Sequence, residues 1–291
     1  MGQMLYNSNL NGVNYEIYSM STTGGTPTKL TNDQTYDSWW PRLSPNRRFI
    51  LFYRTPKGTY DRDYTKTSLW RMNWDGSGVT QLLAVGAYGW AEHGHAEWSP
   101  DGTKLVMFGG STSNAQIVVT DASGANPVTI TSGLASSYDP SWSPDGKRVT
   151  YVTCPKVPCS AVDFEVFTTA ATPGSTPTRV TFDGMRDNDP YYSPDGTRIA
   201  WLTETSPTTG SAGAWNIRVA NVDGSSPGYI TNDGNVNSRP QWSHDGTSVY
   251  FHRLVYSDAL PHCDIWVIHA DGSGLTNITA GQPGSAGYPS V

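Results

Sequence analysis

Short runs in which apolar and polar residues alternate fill the chain, each bounded by Gly, Pro, Asp or Asn. Arg148-Val149-Thr150-Tyr151-Val152 and Arg198-Ile199-Ala200-Trp201-Leu202 are two of them. A second set reads Leu69-Trp70-Arg71-Met72, Ile117-Val118-Val119-Thr120, Asn216-Ile217-Arg218-Val219 and Ile265-Trp266-Val267-Ile268. Period-two patterning of β-branched and aromatic residues between turn formers predicts half-buried strands. No segment carries a convincing 3.6-residue stripe, and none approaches the ~18 apolar residues of a membrane-spanning helix. The pattern predicts an all-β protein without membrane insertion.

The strands repeat as a unit. Trp98-Ser99-Pro100-Asp101-Gly102 returns as Trp142-Ser143-Pro144-Asp145-Gly146, Tyr192-Ser193-Pro194-Asp195-Gly196 and Trp242-Ser243-His244-Asp245-Gly246, with a worn copy at Leu43-Ser44-Pro45-Asn46-Arg47. The serines fall at 44, 99, 143, 193 and 243, a period that suits a four-stranded propeller blade. In each turn Pro presets φ and Gly accepts a positive φ. A further tight turn, such as Asp75-Gly76-Ser77-Gly78 or Asp271-Gly272-Ser273-Gly274, precedes a short closing strand. Tyr288-Pro289-Ser290-Val291 matches the strand that enters the Ser-Pro-Asp-Gly turn, and Gln3-Met4-Leu5-Tyr6 the strand that leaves it. The expectation is one domain over residues 1–291: a six-bladed β-propeller whose sixth blade is split between residues 1–35 and 286–291. Pairing of the terminal strands closes the ring and removes its exposed edge.

The unit Pro-x-Trp-Ser-Pro-Asp-Gly, with Asp-Gly-Ser-Gly and Leu/Ile-Thr-Asn-Asp downstream, resembles the repeat of TolB-type propellers, a WD-like group. That family includes periplasmic interaction proteins, sugar-acid lyases and the gating domains of oligopeptidases, so the resemblance implies a fold rather than an activity. It also implies a periplasmic or extracellular location. The first residues, MGQMLYNSNLNG, have neither a basic nor an apolar leader region, so no signal peptide is expected within the chain.

Composition narrows the partners. The net charge is −6 and Arg47-Arg48 is the longest basic run, which argues against nucleic acid and anionic membrane. Three cysteines are too few for a disulfide-built fold, although the spacing of Cys154 and Cys159 permits a local bridge. A monomer is expected.

Strand direction puts the stereotyped turns on one face, here the bottom. The loops that vary in length (residues 55–67, 109–114, 153–163, 203–214 and 253–264) lie on the top, the side where binding residues usually sit. The residues before the repeated proline position, Trp40, His95, Asp139, Asp189, Arg239 and Tyr288, ring the channel mouth there. Their diversity against uniform turns points to a ligand site. Trp39, Trp40, Trp90, Tyr138, Asp139, Asp189, Arg239 and Tyr288 are its candidate residues, for a glycan, peptide or protein. Arg239 suits an acidic group if it is not paired with Asp189. His93 and His95, two residues apart, with Asp139 and Asp187, form a candidate site for a divalent cation (calcium, manganese or zinc). That grouping resembles the channel histidines of propeller oligogalacturonate lyases, and implies a metal-dependent polysaccharide lyase or hydrolase as an alternative to non-catalytic binding. A third reading, an engineered or permuted scaffold, comes from the chain ends falling inside one hairpin turn. Gly224-Ser225-Ser226-Pro227-Gly228 fits a nucleophile motif but fills a strand–strand turn, which gives no serine hydrolase.

Overall fold

The computed structural model describes all residues except 1, 11, 134, 157, 161–162, 207–212 and 256–261. Parts of three of the top loops, 153–163, 203–214 and 253–264, therefore lie outside the described residues. Six four-stranded antiparallel sheets form the blades of a propeller. Their innermost strands are Tyr36–Leu43, Glu92–Trp98, Ser137–Trp142, Asp187–Tyr192, Asn237–Trp242 and Ala286–Ser290, which number blades 1 to 6. Blade 6 takes its other strands, Gln3–Ser8, Glu16–Ser21 and Thr28–Lys29, from the opposite end of the chain. Leu5 pairs with Ser290, Asn7 with Gly287 and Ser8 with Ala286, which closes the ring. No helix among the described residues is long and apolar enough to cross a membrane.

The apolar faces are buried between blades. Leu51, Leu69, Trp98 and Leu105 join blades 1 and 2, and Leu202, Ile217, Trp242 and Phe251 join blades 4 and 5. The repeated tryptophans pack there as the repeat predicts. Trp98 Nε1 donates to the Arg42 carbonyl at 3.2 Å and Trp242 Nε1 to the Tyr191 carbonyl at 3.1 Å.

The Ser-Pro-Asp-Gly turns are held by the same two bonds. Ser99 Oγ donates to Asp101 at 2.6 Å and accepts from Lys104 N at 2.9 Å, and blades 3 to 5 repeat this. The turn glycine has φ +70° at Gly102, and in the worn copy Arg47 takes that conformation at φ 56°.

Candidate functional site at the channel mouth

A bulge interrupts each innermost strand at the same place, two residues of pairing being skipped at its centre. The bulged residue has positive φ every time: Trp40 55°, His95 55°, Asp139 54°, Asp189 50°, Arg239 56° and Tyr288 55°. For a residue with a Cβ this conformation costs about 1–2 kcal/mol. Such strain persists only where the surroundings impose it, and it gathers at functional sites. Here the bulge turns one side chain per blade inward.

These six residues are linked to one another around the whole ring. Trp40 stacks on His95 with centroids 4.2 Å apart and planes 9° apart. His95 Nδ1 is hydrogen-bonded to Asp139, and the Asp189 amide donates to Asp139 Oδ2 at 3.4 Å. Arg239 donates to Asp189, lies 3.5 Å from Asp139 and covers the rings of Trp40 (4.9 Å) and Tyr288 (5.4 Å). Tyr288 and Trp40 complete the circle at 5.3 Å.

A top loop of blade 1 adds what the repeat could not show. The hydroxyls of Tyr64 and Tyr288 both donate to Asp61, whose carboxylate lies 3.7 Å from Arg239. Tyr64 also hydrogen-bonds His95 Nε2 at 2.6 Å. His252, from the second strand of blade 5, accepts the Tyr288 amide at 3.2 Å. Below the ring the channel is stoppered. Arg42 donates to Glu97 at 2.5 Å and to the Tyr191 hydroxyl at 3.1 Å, and stacks under Trp40 at 4.1 Å.

The mouth is thus a blind funnel of about 420 Å³. Asp139, Asp189, Arg239, Tyr288 and His95 contribute to its floor, while Tyr138, Phe108, Phe164 and Trp215 give it aromatic walls. Glu92 and Arg186 also reach it. Burial works to raise the Asp139 carboxyl, but His95 and Arg239 outweigh it and hold it at about 2. For Asp189 burial prevails over Arg239 and pushes the carboxyl up to about 7. Burial, then Arg239, keeps His95 below its usual range, and the same pair of causes brings His252 to about 3.

Several candidates lie elsewhere. Trp39 is completely buried against Tyr53, Tyr60 and Tyr288, because a residue next to the bulge points back between the blades. Trp90 packs over Gly109 and beside Tyr88, outside the funnel lining. His93 is 1 % exposed, set between Tyr53 and Trp90. Residues two apart on a regular strand share a face, but the bulge at His95 turns that ring into the channel and leaves His93 between the blades, so the two do not converge. Asp187 sits at the junction of blades 3 and 4, bonded to Trp201 Nε1 and Thr203, and burial pushes its carboxyl up to about 7. Two groups of residues do offer ligand atoms within 4.8 Å of one another: His95 with Asp139 and Asp189, and Glu165 with Asp183 and Asp187.

Blade number, closed ring and convergent mouth define a six-bladed propeller with a blind top-face funnel. The sequence pattern of the TolB beta propeller domain matches residues 109–288, and the chain belongs to that family. It is 31% identical over 150 residues to an uncharacterized protein of Agrobacterium fabrum, a match covering 47% of each chain, so it spans about half the length of that relative. In structure it is similar to TolB from Acinetobacter baumannii (TM-score 0.73, 17% identity, 99% of this chain and 66% of that one). It is also similar to an oligogalacturonate lyase from Vibrio parahaemolyticus (TM-score 0.59, 13% identity, 94% and 73%).

Proposed function

We propose that the protein is a periplasmic or extracellular binding propeller whose funnel takes a hydrogen-bond-donating, neutral or cationic group of a peptide segment or glycan. The observation that supports this most is the state of Arg239. Its guanidinium is already shared among Asp189, Asp139 and Asp61, so it has little left for an acidic ligand. What the funnel offers instead is acceptor oxygen on its floor and aromatic rings on its walls, the usual mixture in a pocket that orients a polar group within an apolar site. The Cys154–Cys159 disulfide supports an oxidising compartment.

The same geometry weighs against a divalent cation at the mouth, since Arg239 supplies positive charge among His95, Asp139 and Asp189. One arrangement favours the lyase alternative. Asp139, His95 and Tyr64 form a hydrogen-bonded chain able to hold or pass a proton.

A peptide and glycan array followed by calorimetry tests the binding reading. Hits are expected to be basic or uncharged, and Tyr138→Ala or Trp215→Ala should weaken them about tenfold, the usual effect of losing an aromatic contact. Exclusive binding of acidic ligands, or hits untouched by both variants, would overturn it. Release of unsaturated product from oligouronides, lost in His95→Gln, would favour the lyase instead.

A further inference from the structure

The repeat supplies its own control for a second site, away from the funnel. At five blade junctions a threonine closes the end of the third strand. Thr31, Thr131, Thr181, Thr231 and Thr279 accept the N–H of Ile17, Ile117, Val166, Ile217 and Ile265 at 2.8–2.9 Å. Beside these threonines stand Glu16, Gln116, Glu165, Asn216 and Asp264, each just before the residue whose N–H is bound. Two positions before the bulge in the next blade stand Ser38, Ser137, Asp187, Asn237 and Ala286. Only the junction of blades 3 and 4 carries an acid on both sides.

Elsewhere the buried acid is fully supplied with donors. Glu16 receives Thr31 at 2.5 Å on one oxygen and the Asp33 amide at 2.7 Å on the other. Asp264 receives Thr279 at 3.2 Å and Asn277 at 2.7 Å. At the exceptional junction, Glu165 Oε1 takes Arg179 (2.8 Å) and the Gly184 amide (3.2 Å), and Asp187 Oδ1 takes Trp201 (3.1 Å) and Thr203 (2.7 Å). Glu165 Oε2 is buried with no hydrogen-bond partner, and Thr181 is the further donor facing the Asp187 carboxylate. Glu165 and Asp187 are 1 % and 0 % exposed. A carboxylate oxygen buried without a donor is costly even where, as at Glu165, an arginine pairs with the other oxygen.

We propose that Glu165, Asp187 and Asp183 bind a calcium-type divalent cation that ties blade 3 to blade 4. The exposed Asp183 brings the third carboxylate, each residue offering an oxygen within 4.8 Å of the others. A groove of about 300 Å³, lined by Thr181, Asp183, Trp201 and Arg218, runs along the solvent side of Asp183. A set made wholly of oxygen suits a hard cation rather than zinc or copper. Arg179 and Arg218 engage Glu165 and Asp183 from the outside. They orient these carboxylates and compete with the ion, which places the affinity in the range of extracellular calcium modules, with Kd about 10⁻⁴–10⁻³ M.

Trp201 makes the site observable, since its indole touches Asp187. Terbium added to the full chain should give a saturable luminescence on tryptophan excitation, displaced by calcium. Asp183→Asn, at an exposed position, and Glu165→Gln should each weaken binding about tenfold or more. Asp139→Asn at the mouth should leave it unchanged. Calcium should raise the Tm of the wild type and not of Asp183→Asn. Absence of a saturable signal with no calcium-dependent Tm overturns the proposal, as does a signal that survives both junction variants and disappears in Asp139→Asn. The funnel reading is untouched by either result.

Discussion

His93 shows how far one residue's environment departs from what its position suggests. Held between Tyr53 and Trp90, its imidazole is brought by burial to about 4. A base whose folded pKa is depressed gives stability that is complete above its unfolded value near 6.5 and lost as pH falls toward the folded value. Between pH 7 and 5 the wild type should therefore lose about 2 kcal/mol relative to His93→Leu, as urea unfolding at each pH would measure. Parallel stability curves would show that His93 is not a buried neutral base. The sequence located the ring and the proline that follows most ring positions, because counting along the repeat needs no geometry, but it put His93 at the mouth rather than between the blades. It gave no sign that Trp40 and Tyr288 have positive φ, a conformation expected of glycine. The part that Asp61 and Tyr64 play at the mouth stayed hidden for a different reason. They belong to a top loop whose sequence the other blades do not repeat, and they reach the site through the chain's path rather than through any local pattern.

At the level of the element, the threonine clasp explains how strands of two residues, such as Gly228–Tyr229, stay attached at the blade edge. Their few ladder bonds are supplemented by a side chain that satisfies the third strand from outside. Thr231→Val keeps the shape and removes the acceptor of the buried Ile217 amide. The expected cost is about 1–3 kcal/mol in urea denaturation, the penalty of an orphaned buried donor. The exposed Thr129→Val should cost almost nothing, and equal effects would show that the clasp has no special role. The Leu/Ile-Thr-Asn-Asp repeat made these threonines visible as punctuation. Their partners across the blade junction became visible only once the blades were placed side by side.

For the whole molecule, closure by the terminal strands is the feature most exposed to test. Removing residues 286–291 takes away the innermost strand of blade 6, one sixth of the floor ring and the contact of Tyr288 with Trp40. Thermal unfolding should begin well below that of the intact chain, and an unchanged Tm would show that the ring does not depend on this seam. The stopper formed by Arg42, Glu97 and Tyr191 has a consequence for traffic. A ligand that cannot pass through must leave by the way it came, so no polymer can be threaded. It presents either a terminus or a protruding group, and its residence time depends on the mouth beside the loop that holds Asp61.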